Sequence, residues 1–117
     1  MTYKDLIVWQ KADAFAHQVY LKTRSFPKDE LFGITSQIRR AALSVPTNIV
    51  EGYARKGDKE LARFLNIAIG SLTETEYLLG FANRLEYLSQ QDFDELDEQK
   101  DEVSRSLWTF YKKIISA

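Results

Sequence analysis

Residues 36–55, SQIRRAALSVPTNIVEGYAR, indicate the type of fold. The apolar residues of this stretch recur at intervals of three and four, which predicts an amphipathic helix. Pro46 lies in the middle of this pattern and has no N–H to donate to the carbonyl of Ala42, so we expect the helix to bend there. Thr47, Asn48 or a water molecule can donate to the freed carbonyl instead.

The same helical spacing continues on both sides of this stretch and divides the chain into four segments. The first stops at the Phe-Pro pair of residues 26–27, because proline disfavours helix in the residue before it. The second starts near Leu31 and stops around Gly57, a predicted C-cap. Asp58 and Ser89 are the predicted N-caps of the third and fourth segments. No segment alternates with period two for long enough to predict a strand.

These segments predict an all-α fold. A chain of 117 residues is typical of one domain, so we expect residues 1–117 to form a single unit. Helices of about 20–28 residues with short connections form an up-down-up-down antiparallel four-helix bundle. The chain has no Cys, no apolar signal sequence and no apolar run of membrane-spanning length. We therefore expect a cytoplasmic protein without a membrane partner.

Three of the predicted helices carry apolar residues outside the stripe that would face the bundle core. In the second helix, Phe32, Leu43 and Val50 lie about 120–140° from the core line. In the fourth helix, Trp108 and Ile115 leave the main stripe together. The third helix has a similar set about 90° from its core line, made of Ile67, Leu78 and Leu85.

These secondary stripes predict a ring-like homo-oligomer, because large contiguous apolar patches mark interfaces. The alternative is a generous core with scattered exposed apolar residues, which soluble proteins tolerate. Arg39 flanks the stripe of the second helix, where its stem can cover apolar surface and its head can pair with an acid of another copy. The candidate interface residues are Phe32, Arg39, Leu43, Pro46, Val50, Ile67, Leu78 and Leu85.

Charge is unevenly distributed although the net charge is only −1. Residues 1–57 hold nine Lys or Arg and five Asp or Glu, whereas residues 58–117 hold seven and twelve. In an up-down bundle, the starts of the first and third helices lie at the same end as the ends of the second and fourth. We call this end the basic pole, because it is predicted to be positively charged. Its candidate nucleic-acid-binding residues are Arg55, Lys56, Lys59, Arg63, Lys112 and Lys113.

The helix dipole explains part of this asymmetry, since acids at the start and lysines at the end of the fourth helix complement it. It does not explain Lys59 and Arg63, which lie at a helix start, where cations are disfavoured. A ring of subunits would repeat the basic pole and form a face able to hold phosphates.

Catalytic and metal-binding patterns are missing from the sequence. The single histidine, His17, points away from the predicted core and belongs to no Glu-x-x-His pair, which argues against a di-iron bundle site. A nucleophilic triad lacks its usual parts, and there is no glycine-rich phosphate loop. We therefore expect no enzyme activity, no catalytic residue, no metal and no cofactor. The least favoured alternative is an enzyme with a carboxylate site formed by Glu51, Glu74 and Glu76.

Three blocks of sequence carry a family resemblance: LIVWQKA (6–12), RRAALSVPTNIVEG (39–52) and IAIGSL (67–72). The chain resembles the small bacterial four-helix-bundle proteins first noticed as reading frames within intervening sequences of large-subunit ribosomal RNA genes. That family is similar to the accessory variability protein of diversity-generating retroelements, a pentameric barrel that binds reverse transcriptase and nucleic acid. The positions that match the pattern are Arg39, Arg40, Pro46, Asn48, Glu51, Gly52, Gly70, Ser71 and Glu74.

The resemblance implies a homopentamer with a nucleic-acid or ribonucleoprotein role. The function expected on these grounds is a non-catalytic adaptor that binds RNA, DNA or a nucleic-acid-binding protein through the basic pole. The retroelement relative is strongly basic, whereas this chain has a pI near 5.8. The alternative is therefore a scaffold for protein–protein interaction that binds no nucleic acid.

Overall fold

Four α-helices account for most of the chain in a computed structural model that describes residues 1–117. They are α1 (Ile7–Lys22), α2 (Ile34–Ala54), α3 (Asp58–Arg84) and α4 (Gln90–Ile115). Short 3₁₀ turns at Tyr3–Asp5 and Lys28–Glu30 precede α1 and α2, and there is no strand. The predicted all-α class with four helices is confirmed.

The helices pack as a bundle in which each contacts two neighbours. α1 lies between α2 and α4, and α3 lies between the same two helices on the other side. The diagonal pairs, α1 with α3 and α2 with α4, do not pack on each other. Seen along its long axis, the 44 × 24 × 22 Å molecule is therefore a square of helices, with the α1–α2 edge opposite the α3–α4 edge.

The core sits where the four predicted stripes meet. A helix with apolar residues every three or four positions buries one face when it packs against others, and each helix contributes such a face. The 3-4-3-4 spacing of α3 brings Leu65, Leu72 and Leu79 into the core in succession. The largest fully buried side chains from the other helices are Phe15, Val19, Ile38, Val45, Ile49, Leu96, Val103 and Leu107.

The helix ends differ from the sequence prediction in detail. α1 has 16 residues, fewer than predicted, and α2 starts at Ile34 rather than near Leu31, which is exposed. Gly57 is the N-cap of α3 rather than the C-cap of α2, and Asp58 is the first helical residue. The backbone of Gly57 has φ 88°, a conformation that favours glycine, so this residue makes the turn between the two helices.

The predictions for Ser89 and Pro46 can be compared with the hydrogen bonds of α4 and α2. Ser89 is the N-cap of α4, and its hydroxyl accepts a 3.1 Å hydrogen bond from the Asp92 amide, as predicted. Pro46 lies inside α2. The two side chains that follow it do not donate to the carbonyl of Ala42. The Thr47 hydroxyl donates to the Leu43 carbonyl and the Asn48 amide donates to the Ser44 carbonyl, each at 2.8 Å.

Candidate nucleic-acid interface and assembly surface

The turn between α2 and α3 holds two arginines over one buried aromatic ring. The guanidinium carbon of Arg55 lies 5.1 Å from the ring centroid of Phe64, and that of Arg63 lies 4.5 Å from it. Both are within the range of cation–π attraction. Both guanidinium groups therefore lie against the Phe64 ring at the basic pole.

Both arginines also have acidic neighbours. Arg63 donates to the two carboxylate oxygens of Glu60, from Nε at 3.0 Å and Nη2 at 3.3 Å. This hydrogen bonding raises the pKa of Arg63 and lowers the pKa of Glu60. Arg55 Nη2 lies 4.0 Å from Glu51 Oε2. The charge of the two arginines is thus partly neutralised, whereas Lys56 and Lys59 form no ion pair within the chain.

The remaining predicted cations are exposed at the end of α4. Lys112 and Lys113 are in its last turn, where they complement the helix dipole. Lys113 lines an open cleft between α1 and α4 together with Lys11 and Arg105, with Asp5 and Glu102 also on its walls. Arg105 is not among the six predicted residues. The signal was available, since Arg105 precedes Lys113 by eight residues, about two helical turns.

The six predicted residues thus form two groups at one pole. Arg55, Lys56, Lys59 and Arg63 cluster around the turn from α2 to α3, and Lys112 with Lys113 lies at the end of α4. The cations of the pole therefore come from two places in the fold.

Away from this pole, two lysines are held by several acids. Lys22 of α1 donates to Asp92 at 2.8 Å and Glu95 at 2.6 Å on α4, and these bonds raise the pKa of Lys22. Lys100 of α4 is bound by three carboxylates, which come from Glu76 of α3 at 2.6 Å and from Asp101 and Asp97 at 2.8 and 3.1 Å. Burial lowers the pKa of Lys100, but the hydrogen bonds to Asp101, Glu76 and Asp97 outweigh it and raise the pKa overall.

The predicted assembly residues differ widely in exposure. Phe32 is 94% exposed, and Leu43, Ile67 and Leu85 are each a little under half exposed. Val50 and Arg39 are partly buried. Pro46 and Leu78 are buried within the single chain, so these two side chains contribute little to its apolar surface.

Other exposed apolar groups lie on α3 and α4. Trp108 and Ile115 are exposed, as their departure from the main stripe of α4 predicted. Tyr77, which is not among the predicted interface residues, is 62% exposed on α3. A Cβ placed on the nearby Gly70 would meet no atom within 4 Å, so no part of the chain packs closely against that glycine.

Some functional classes can be compared directly with the geometry. No group of three or more His, Cys, Asp or Glu side chains is arranged to hold a metal ion. His17 is exposed on α1. None of the helices combines the length and apolarity needed to cross a bilayer.

Comparisons with known proteins give a family. None of the curated proteins compared with the chain matches it. Among solved structures, the chain is similar to a protein of unknown function from the S23 ribosomal protein family of Bacteroides thetaiotaomicron, with 26% identity and a TM-score of 0.85. The match covers 93% of this chain and 98% of that one. A model of the 23S rRNA-intervening sequence protein family matches residues 4–109, and the chain therefore belongs to that family.

Proposed function

We propose that the chain is a non-catalytic adaptor that assembles into a homo-oligomeric ring and binds RNA phosphates through its basic pole. Five copies is the number that the family resemblance implies. The observation that carries the proposal is the set of lysines at this pole that have no acidic partner. They are Lys56, Lys59, Lys112 and Lys113.

Two paired lysines elsewhere in the molecule show the contrast. Lys22 and Lys100 are each bound by two or three carboxylates, which neutralise them. An unpaired surface lysine, in contrast, is available to a phosphate group and releases a counterion from the nucleic acid when it binds. The unpaired lysines at the pole are therefore suited to nucleic acid in a way that the paired ones are not.

Self-assembly increases the positive charge that the basic pole presents to RNA. The chain as a whole carries a net charge of −1, so one copy has little long-range attraction for RNA. A ring places the same pole of every copy on one face and multiplies the local positive charge. It also gives several linked binding sites, which increases the overall affinity without new contacts.

Gel shifts with single-stranded and duplex RNA at increasing salt test the proposal. Binding at about 50 mM salt should weaken steeply as salt rises, because phosphate contacts release counterions. Changing Lys56→Glu together with Arg63→Glu should abolish binding. The matched control is Arg40→Glu with Arg84→Glu, which makes the same change in net charge at exposed arginines outside the pole and should leave most of the binding intact. Equal loss in both double variants, or no binding by the wild type, contradicts the proposal.

A protein-binding scaffold is the second candidate, and one observation favours it. Phe32 is 94% exposed just before α2, more than any other aromatic side chain in the chain. An apolar ring left in water suits a protein contact better than a phosphate contact. The same gel shifts separate the candidates, since a scaffold binds no RNA at any salt concentration.

A further inference from the structure

We infer that copies of the chain associate head to tail, with the α1–α2 edge of one copy against the α3–α4 edge of the next, so that Arg39 reaches the carboxylates around Lys100. This inference rests on the self-assembly proposed above and specifies which surfaces meet. It follows from the charges of the two edges, from their exposed apolar residues and from their heights along the bundle.

The α1–α2 edge carries cations that lack acids. Arg24, Lys28 and Arg39 line one pocket at this edge, and none of them forms an ion pair within the chain. Arg39 is held in place by neutral groups. Its Nε donates to the Thr23 hydroxyl at 2.9 Å and its Nη2 to the Tyr20 carbonyl at 3.3 Å.

The guanidinium of Arg39 is therefore oriented but not neutralised. It lies over the ring of Tyr20, with the guanidinium carbon 4.9 Å from the ring centroid. A guanidinium has five N–H donors, and the two hydrogen bonds leave three of them free. Those donors have the geometry to bind a carboxylate from outside the chain.

The α3–α4 edge has the opposite imbalance. Glu76, Asp97 and Asp101 surround the single ammonium of Lys100, which leaves a formal charge of −2. The Lys100 side chain is only 9% exposed, whereas the three acidic side chains are 52%, 44% and 53% exposed. The carboxylates thus present open surface to a second cation, and Trp108 lies in the same groove.

The two clusters lie at the same height along the bundle. Ser44 of α2 and Ser71 of α3 are hydrogen-bonded at 2.9 Å, which sets the register of these antiparallel helices. Arg39 precedes Ser44 by five residues and Glu76 follows Ser71 by five, so both lie about one and a half turns from that bond in the same direction. The 2.6 Å bond from Lys100 to Glu76 places α4 at this height as well.

Arg39 and Glu76 nevertheless belong to opposite edges of the square, so they do not meet within one chain. Rotation about an axis parallel to the bundle keeps every residue at its height. Such a rotation brings the α1–α2 edge of one copy to the α3–α4 edge of the next, with Arg39 opposite Glu76 and Asp101.

The apolar residues match in the same register. α2 and α4 run parallel, and Trp108 lies eight residues beyond Lys100. Eight residues beyond Arg39 is position 47, between Leu43 and Val50 of α2. The 44% exposed Trp108 is therefore at the height of the exposed apolar stripe of the neighbouring copy. Because two different surfaces meet, every copy has one of each, and the contact can repeat from copy to copy. It closes into a ring when the rotation between neighbouring copies divides a full turn.

Charge exchange tests the inference, with mass in solution measured by sedimentation or light scattering. Arg39→Asp and Asp101→Arg should each weaken association about tenfold or more, because each places like charges at the contact. The double variant carries the pair in reverse and should recover most of the association. A mixture of the two single variants should associate more strongly than either variant alone, because both kinds of contact between unlike variants are complementary. A ring of five is odd and therefore keeps one like-charged contact between two copies of the same variant.

Two neighbouring exposed residues give matched controls. Arg40→Asp changes α2 on the side of the α2–α3 groove, and Glu98→Arg changes α4 on the side of the α1–α4 groove. Both should leave the mass unchanged, and circular dichroism should show that all variants keep their helices. A wild type that is monomeric overturns this inference and the proposed self-assembly together. If neither single change lowers the mass, or if the double variant fails to restore it, the assignment of the two edges is wrong. Self-assembly itself is not contradicted by either result.

Discussion

Gly52 of α2 and Phe64 of α3 lie so close that a Cβ on Gly52 would come within 2.8 Å of the Phe64 Cβ. The same Cβ would lie 3.1 Å from Leu61 Cδ1. Gly52 therefore lets the end of α2 approach the start of α3, next to the two arginines that flank Phe64. This close approach explains a glycine in the last turns of a helix, where it would otherwise weaken the helix.

We expect Gly52→Ala to lower the free energy of unfolding by about 1–3 kcal/mol, because overpacking forces the helices apart. This is the opposite of the effect of alanine on helix propensity, which favours alanine by about 1 kcal/mol. Urea unfolding followed by circular dichroism at one fixed protein concentration measures the change. The control is Gly70→Ala, where the new Cβ meets no atom of the chain within 4 Å and stability should rise. A stabilised Gly52→Ala variant would show that the contact is looser than described.

We expect Lys100→Met to lower the free energy of unfolding by about 1–3 kcal/mol near neutral pH. The change leaves Glu76, Asp97 and Asp101 close together without their cation. Because these carboxylates are about half exposed, water screens their repulsion and keeps the loss below that of a fully buried pair. Urea unfolding measures this loss, which should shrink as added salt screens the repulsion between the carboxylates.

Lys112→Met is the matched control, since it removes an exposed lysine that has no ion pair from the same helix. It should change stability by about 0.5 kcal/mol or less. An equal loss in the two variants, or a loss in Lys100→Met that does not depend on salt concentration, would show that the three carboxylates do not repel one another.

The sequence predicts the helices of this fold well because the apolar spacing that indicates a helix is repeated many times along each one. The apolar spacing of α3 persists over more than five turns, and a single misplaced residue does not hide it. Helix ends are harder, since one or two residues decide them. Gly57 shows this, because a glycine between two helices can cap either one. Its φ of 88° and its place at the start of α3 assign it to α3 as the N-cap.

The candidate sites were predictable in part. The basic pole follows from helix order alone, since the direction of each helix fixes which end its charges occupy. Sequence spacing does not give contacts between helices. It does not show that Arg39 of α2 lies over Tyr20 of α1 or that Lys100 of α4 binds Glu76 of α3. These pairings depend on rotamers and on the register between neighbouring helices.

The pairing of Lys22 with Glu95 and Asp92 predicts a pH dependence. The hydrogen bond from Lys22 holds the pKa of Glu95 below its ordinary value of 4.5. A carboxyl with a lowered pKa in the folded state stabilises the fold above that ordinary value, and the contribution is lost as the pH falls through the folded pKa. The raised pKa of Lys22 matters only at high pH. The contribution of Lys22 to the stability of the fold is lost as the pH rises above about 10.5.

We therefore expect the thermal midpoint of the wild type to fall more between about pH 5 and pH 3 than that of Lys22→Met, which has no ammonium for Glu95 to lose. Differential scanning calorimetry across this interval gives both curves. Asn83→Ala is a control that removes a polar side chain without removing a charge, and its curve should run parallel to that of the wild type. Parallel curves for the wild type and Lys22→Met would mean that Lys22 does not lower the pKa of Glu95.

The two tryptophans allow the proposed contact between copies to be followed directly. Trp108 is 44% exposed in the single chain, next to Tyr111, whereas Trp9 is partly buried at the start of α1 against Tyr3. If the α3–α4 edge meets the next copy, Trp108 is shielded from water in the assembly and becomes exposed when the assembly dissociates. Dilution should therefore shift the fluorescence emission to longer wavelength in parallel with the fall in mass.

Trp108→Phe isolates the signal, because only Trp9 then remains and its emission should not change on dilution. Phenylalanine keeps an apolar ring at the contact, so this variant should still assemble, with an affinity lowered by about tenfold at most. The reciprocal variant, Trp9→Phe, should retain the full shift. A mass that falls on dilution while Trp108 emission stays constant would place the contact between copies on another edge of the bundle.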